Sequence, residues 1–93
     1  MLLTVAELPE YLRAAAKLLA DTDRRAIINH LAAQPTDGDL IEGTGGVRKL
    51  RWGRDGRGKR GVVRLIYYCH SESMPLYLLT MLAKNERTNL SKD

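Results

Sequence analysis

Arg48-Lys49-Leu50-Arg51-Trp52, then Asp55-Gly56-Arg57-Gly58, then Val62-Val63-Arg64-Leu65-Ile66-Tyr67-Tyr68-Cys69-His70: these three runs decide the fold. The first alternates cationic and apolar side chains, the period of a strand, with Leu50 and Trp52 on one face and Lys49 and Arg51 on the other. The second is a glycine-rich turn signal. The third is rich in β-branched and aromatic residues and reads as a strand. Strand, turn and strand make an antiparallel hairpin. Residues 76–83, Leu-Tyr-Leu-Leu-Thr-Met-Leu-Ala, extend it to a meander of three strands after a break at 72–75.

The chain before this hairpin has a different period. Leu8, Leu12, Ala15 and Leu19 recur at helical spacing over 8–20, and Pro9 is tolerated at the start of such a helix, where its missing N–H has no partner to lose. Asp21-Thr22-Asp23 interrupts the pattern and offers caps for a second helix with Ile27, Ile28 and Leu31 as its buried stripe. Pro35 and Asp37-Gly38-Asp39 end that helix. Residues 2–6 predict a short first strand that joins the meander. The expected fold is α+β: two antiparallel N-terminal helices on one face of an antiparallel sheet of three to four strands. A chain of 93 residues predicts a single domain over 1–93.

Charge sorts the chain sharply. Residues 48–64 hold eight of the fifteen Lys and Arg and one acid, for +7; residues 1–47 carry −3 and residues 65–93 are balanced, giving +4. A field focused in this way attracts polyanions, above all phosphodiester backbones. The 44% hydrophobic content is that of a folded domain. A single cysteine, Cys69, excludes an internal disulfide and predicts a reducing, cytoplasmic setting. Its place in an apolar strand reads as a buried, inert thiol. No run is long and apolar enough to span a bilayer, and the start of the chain is not a signal peptide.

The basic stretch also implies a chemistry. Lys49 and Arg51 leave their strand on the same side, and antiparallel pairing brings Arg64 towards them, in a register the sequence leaves open. Lys84 ends the following strand. Cations gathered around one phosphate stabilise the charge that builds when the 2′-hydroxyl of RNA attacks the adjacent phosphorus. His30 and His70 are the only imidazoles and lack a third ligand at a useful spacing, so no metal or other cofactor is expected. Gly43-Thr44-Gly45-Gly46 lacks the Gly-Lys-Ser/Thr ending of a nucleotide loop and reads as a tight turn into the strand. Tyr67 and Tyr68 point to opposite faces, one into the core and the other free to stack on a base. A plainly solvated basic turn is the competing explanation.

The ordered motifs Gly43-Thr44-Gly45-Gly46-Val47-Arg48-Lys49-Leu50-Arg51-Trp52, Gly56-Arg57-Gly58-Lys59-Arg60-Gly61, Arg64-Leu65-Ile66-Tyr67-Tyr68, Tyr77-Leu78-Leu79 and Ala83-Lys84-Asn85-Glu86 resemble the RelE/ParE superfamily of toxins, nearest its HigB-type branch. The resemblance implies the toxin of a type II toxin–antitoxin pair, a metal-independent endonuclease that cleaves mRNA on the ribosome. It places Lys49, Arg51, Arg64 and Lys84 in the catalytic set. The rest of the basic segment, Arg48, Arg54, Arg57, Lys59 and Arg60, is expected to contact RNA or ribosome, together with Tyr68 and Asn85. Arg64 matches the phosphate-stabilising arginine, and Lys49 and Arg51 match the basic pair of the preceding strand. The RelE type proper has an arginine at Asn85 and a tyrosine near Ser91, whereas Asn85-Glu86 fits the HigB-type group. The implied partners are a helix-turn-helix antitoxin and the ribosome with its mRNA, with no membrane and no small-molecule cofactor. Many relatives also continue into a further C-terminal helix, which this chain is expected to lack.

Two other functions fit the same motifs. One is a gyrase-inhibiting toxin of the ParE type, and the other is a non-catalytic relative that binds only RNA or an antitoxin. A gyrase inhibitor has no need of several cations aimed at one phosphate. Fold alone does not choose among the three.

Overall fold

A computed structural model describes residues 3–54 and 61–83. In chain order the elements are β1 (Val5–Glu7), α1 (Pro9–Leu18), α2 (Asp21–Ala33), β2 (Asp39–Leu40), β3 (Val47–Gly53), β4 (Val62–Tyr68) and β5 (Leu76–Ala83). The five strands form one sheet in the order β1-β5-β4-β3-β2. This α+β architecture agrees with the expectation, but the sheet does not: it has five strands rather than three to four, and it is mixed rather than antiparallel. β1 pairs with β5 in parallel, Val5 opposite Leu76 and Glu7 opposite Leu78. The reason is topological. Both sides of β4 are taken, β3 is partly covered by β2, and the free edge of β5 is the place left for β1. β2 has two exposed residues and so no alternation to betray it. Its pairing with β3 exists because Gly43–Gly46 folds the chain straight back.

That turn depends on glycine. Gly46 has φ +145°, and a Cβ there would meet the carbonyl oxygen of Cys69 at 3.0 Å. Thr44 Oγ1 closes the turn by accepting from the N–H of Val47 (3.0 Å) and donating to the carbonyl of Ile41 (2.6 Å).

α1 begins with Pro9 and carries Glu10 in its first turn and Lys17 in its last, each favourable to the helix dipole. Its buried stripe is Tyr11 and Ala15, with Ala14 and Leu18 packed alongside; Leu12, expected inside, is 40% exposed. Tyr11, one position earlier on the helix, is wholly buried in its place. α2 buries Ile27 and Leu31 as expected. Its N-cap, however, is Ala20, without a side-chain cap, and Asp21 and Asp23 instead lie in the first turn, where their charge favours the helix N-terminus. The predicted helix pair is looser than expected: α1 packs mainly on β5 and α2 reaches β1, with sparser contact between the helices. A two-point ion pair fastens α2 to β1, Arg24 Nε and NH2 each 3.0 Å from an oxygen of Glu7.

The core lies between the helices and one face of the sheet. Val63, Leu65 and Tyr67 from central β4 and Leu76 and Leu78 from β5 are wholly buried. A β-bulge sits opposite Ile66 and Tyr67, with Ile66 facing Thr80 but Tyr67 facing Leu78. Leu78 and Met81 are three apart, so strict alternation would turn one of them outward; the extra residue lets both point at the helices. The opposite face of the sheet carries no helix among the described residues.

Candidate nucleic-acid interface on the open face

Register decides which cations meet. In the β3–β4 ladder Arg51 stands directly opposite Arg64, and Lys49 opposite Ile66. Directly paired residues lie about 4.5–5.5 Å apart at Cα and point the same way, and next-but-one residues of a strand about 6.6 Å apart. Lys49, Arg51 and Arg64 are therefore neighbours on the open face, all three exposed. No side chain of the three makes a hydrogen bond or ion pair with another described residue. Two guanidinium groups facing each other across a ladder cost a few tenths of a kcal/mol or more. An anion between them reverses that sign.

The three cations line an open depression of about 440 Å³ together with Leu50, Asp37 and Asp39. The acids were not expected from sequence, where 37–39 reads only as a turn. Asp39 is opposite Lys49 in the β2–β3 ladder. Asp37 reaches the depression because the 35–38 segment is fastened down. Tyr67 Oη accepts from the N–H of Gly38 (2.8 Å) and donates to the carbonyl of Pro35 (2.9 Å). Arg48 NH1 donates to the carbonyls of Thr36 (3.2 Å) and Gly38 (2.7 Å). Glycine is required at 38, since a Cβ would lie 2.8 Å from both Lys49 O and Tyr67 Oη. His30 Nε2 then meets Asp37 Oδ2 at 2.8 Å, and the His30 ring stands edge-on to Trp52 with centroids 5.6 Å apart.

The other sequence-derived candidates divide between the faces. Tyr68 shares the open face with Arg64, half-buried, its ring nearly parallel to His70 at a centroid distance of 6.3 Å. Arg48 and Arg54 do not join the cluster. Arg48 alternates onto the side of Leu50 and Trp52 and is held by the carbonyls already named. Arg54 donates from Nε to the carbonyl of Gly61 (2.8 Å) and from NH1 to that of Leu18 (3.0 Å), clasping the end of α1 to the base of the hairpin. Arg57, Lys59, Arg60, Lys84 and Asn85 lie outside the described residues. Cys69 is buried, and burial raises its thiol pKa, with the nearby Arg48 charge acting the other way.

No model of a known protein family matches the chain. Its structure is similar to a solved structure of the E. coli toxin RelE, a variant with two arginines changed to alanine, in the free state. The TM-score is 0.66 at 16% sequence identity, over 91% of this chain and 86% of that one. The chain has the RelE fold. At that identity the likeness speaks for architecture, and it agrees with the RelE/ParE resemblance of the motifs. On this RelE-like frame the open face is one side of a central hairpin whose other side is the core.

Proposed function

We propose that this chain is the toxin of a type II toxin–antitoxin pair, of the HigB type, and cuts ribosome-bound mRNA without a metal. The observation that carries the reading is the facing pair Arg51 and Arg64 with Lys49 beside them, their side chains unpaired among the described residues on a face that no described helix covers. The RelE-like fold supports it.

In the proposed reaction the 2′-oxygen attacks the adjacent phosphorus and loses its proton. The bond from phosphorus to the 5′-oxygen breaks, and that oxygen gains a proton. The products are a 2′,3′-cyclic phosphate and a 5′-hydroxyl. Arg51 and Arg64 stabilise the phosphoryl oxygens as charge develops on them, a term that mutagenesis elsewhere puts at about 10²–10³ in rate for one donor. Lys49 helps to activate the attacking hydroxyl, the family resemblance adds Lys84 to the catalytic set, and Tyr68 offers a ring for base stacking. The setting is cytoplasmic. The partners are the ribosome with mRNA and a helix-turn-helix antitoxin that covers the basic face by charge and shape.

Induced expression followed by mapping of mRNA 5′ ends tests this, with Arg64→Ala in parallel. New 5′-hydroxyl ends for the unsubstituted chain and their loss in the variant are expected. DNA-damage signalling without mRNA loss points to gyrase instead and defeats the proposal.

A further inference from the structure

A surface made only to grip phosphate gains nothing from carboxylates, yet Asp37 and Asp39 line the same depression as Lys49, Arg51 and Arg64. Three cations less two acids leave its formal charge at +1, and each acid repels the phosphate the cations attract. Among the described residues neither acid side chain is bonded to a cation of the depression; their one side-chain contact is the hydrogen bond of Asp37 with His30. Their oxygens are therefore still available as acceptors beside an anion-binding group.

Asp37 is also the best-held side chain on that rim. Its backbone neighbours are fixed on both sides, Thr36 by Arg48 and Gly38 by Arg48 and Tyr67. The His30 bond occupies one lone pair of Oδ2 and leaves the other, together with Oδ1, to accept from a ligand. Trp52 backs the imidazole from the core side. A carboxylate so oriented is an acceptor-only group, and among nucleobase edges it suits guanine, whose N1–H and N2 amine are adjacent donors. Uracil presents one N–H between two carbonyl oxygens, which a carboxylate repels.

We propose that Asp37, held by His30 and flanked by Asp39, reads a nucleobase lodged in this depression and favours guanine over uracil. This rests on the reading of the open face as an RNA site and supplies its sequence preference. The cations hold the backbone and the acids choose the base, the usual division between phosphate contacts that position and base contacts that specify. Asp37 and Asp39 also explain how one small depression carries both signs of charge without pairing them.

The test is fluorescence anisotropy of the intact chain with fluorescein-labelled pentaribonucleotides UUGUU, UUAUU, UUCUU and UUUUU at low salt. The unsubstituted chain should bind UUGUU roughly tenfold more tightly than UUUUU, the scale of one good base contact. Asp37→Asn keeps a bond to His30 but puts an amide donor into the rim. It should retain salt-dependent binding of UUUUU, equal or tighter, and lose the guanine preference to within about twofold. His30→Gln should lose part of it, and circular dichroism should show both variants folded. Equal binding of all four pentamers with salt dependence intact overturns the base reading alone. A guanine preference that survives Asp37→Asn overturns it as well. No salt-dependent binding of any pentamer removes the RNA site itself and this proposal with it.

Discussion

The two faces of one hairpin treat arginine in opposite ways. On the helix side Arg48 and Arg54 each donate to two backbone carbonyls, tying 36–38 and the end of α1 to the sheet. On the open side the side chains of Arg51 and Arg64 confront each other and bond to nothing among the described residues. The same residue type thus serves as an internal clamp three positions to either side of Arg51, where it is left unsatisfied. A side chain that leaves a like charge unrelieved across a ladder contributes no stability, so its presence calls for an external partner. The comparison predicts that stability and activity separate by face.

Arg64→Ala gives the largest effect. Cleavage should fall by about 10²–10³, while the thermal midpoint stays within a degree or two or rises, because a repulsive pair is relieved. A variant that loses activity only because its midpoint drops by many degrees would break the contrast between the faces.

Tyr67→Phe probes the helix side at its most buried point. Removing Oη strands the N–H of Gly38 and the carbonyl of Pro35, each worth about 1–3 kcal/mol when left unpaired, so a loss of about 2–4 kcal/mol is expected in urea unfolding. Loosening 35–38 should blunt sequence preference before it weakens phosphate binding. A sharper comparison sets Arg48→Ala against Arg51→Ala. The first should cost about 1.5 kcal/mol of stability with little change in the salt dependence of RNA binding. The second should leave stability unchanged or slightly raised and reduce the salt slope by about one. Equal loss of RNA affinity in the two would mean that Arg48 belongs to the anion site after all.

Much of this division is written in the period of the sequence, and the exceptions have identifiable causes. Alternation in Lys49, Leu50, Arg51 and Trp52 is enough to separate the faces, because a strand's side chains cannot do otherwise. The opposition of Arg51 and Arg64 is not legible, since hairpin register depends on a turn and a one-residue slip would separate them. Arg48 and Arg54 look no different in sequence from the free cations. Only the carbonyls of Thr36, Gly38, Gly61 and Leu18, brought by the fold, distinguish them. β2 is hidden by its brevity and the parallel β1–β5 pair by its sequence separation. The bulge is signalled faintly by the odd spacing of Leu78 and Met81, a parity change that a run of uniformly apolar residues obscures. The signal at Asp37 is its neighbour: an acid beside a glycine that must be glycine is an acid held in one place.

The smallest effect concerns a group the core tolerates rather than uses. Tyr11 Oη is buried and has no hydrogen-bond partner among the described residues, so Tyr11→Phe should be neutral or stabilise the protein by up to about 1 kcal/mol at neutral pH. Burial first, and the charge of Glu7 second, raise the Tyr11 pKa above its ordinary 10.0, with Arg24 opposing. Burial raises that of Tyr67 as well, against the Gly38 hydrogen bond and the Arg48 charge. A raised pKa means that the folded state holds the proton more tightly than the unfolded chain does. The contribution is complete below pH 10.0 and is lost as pH climbs beyond it, so the urea midpoint should decline steadily in that range. Tyr11→Phe removes one of the two phenols and should flatten that decline while leaving RNA binding untouched, because Tyr11 faces the core from α1 on the helix side. An alkaline slope as steep as that of the unsubstituted chain would show that Tyr11 ionises as readily folded as unfolded. The hydroxyl would then have found water, and the seal of α1 over β5 would be looser than its packing implies.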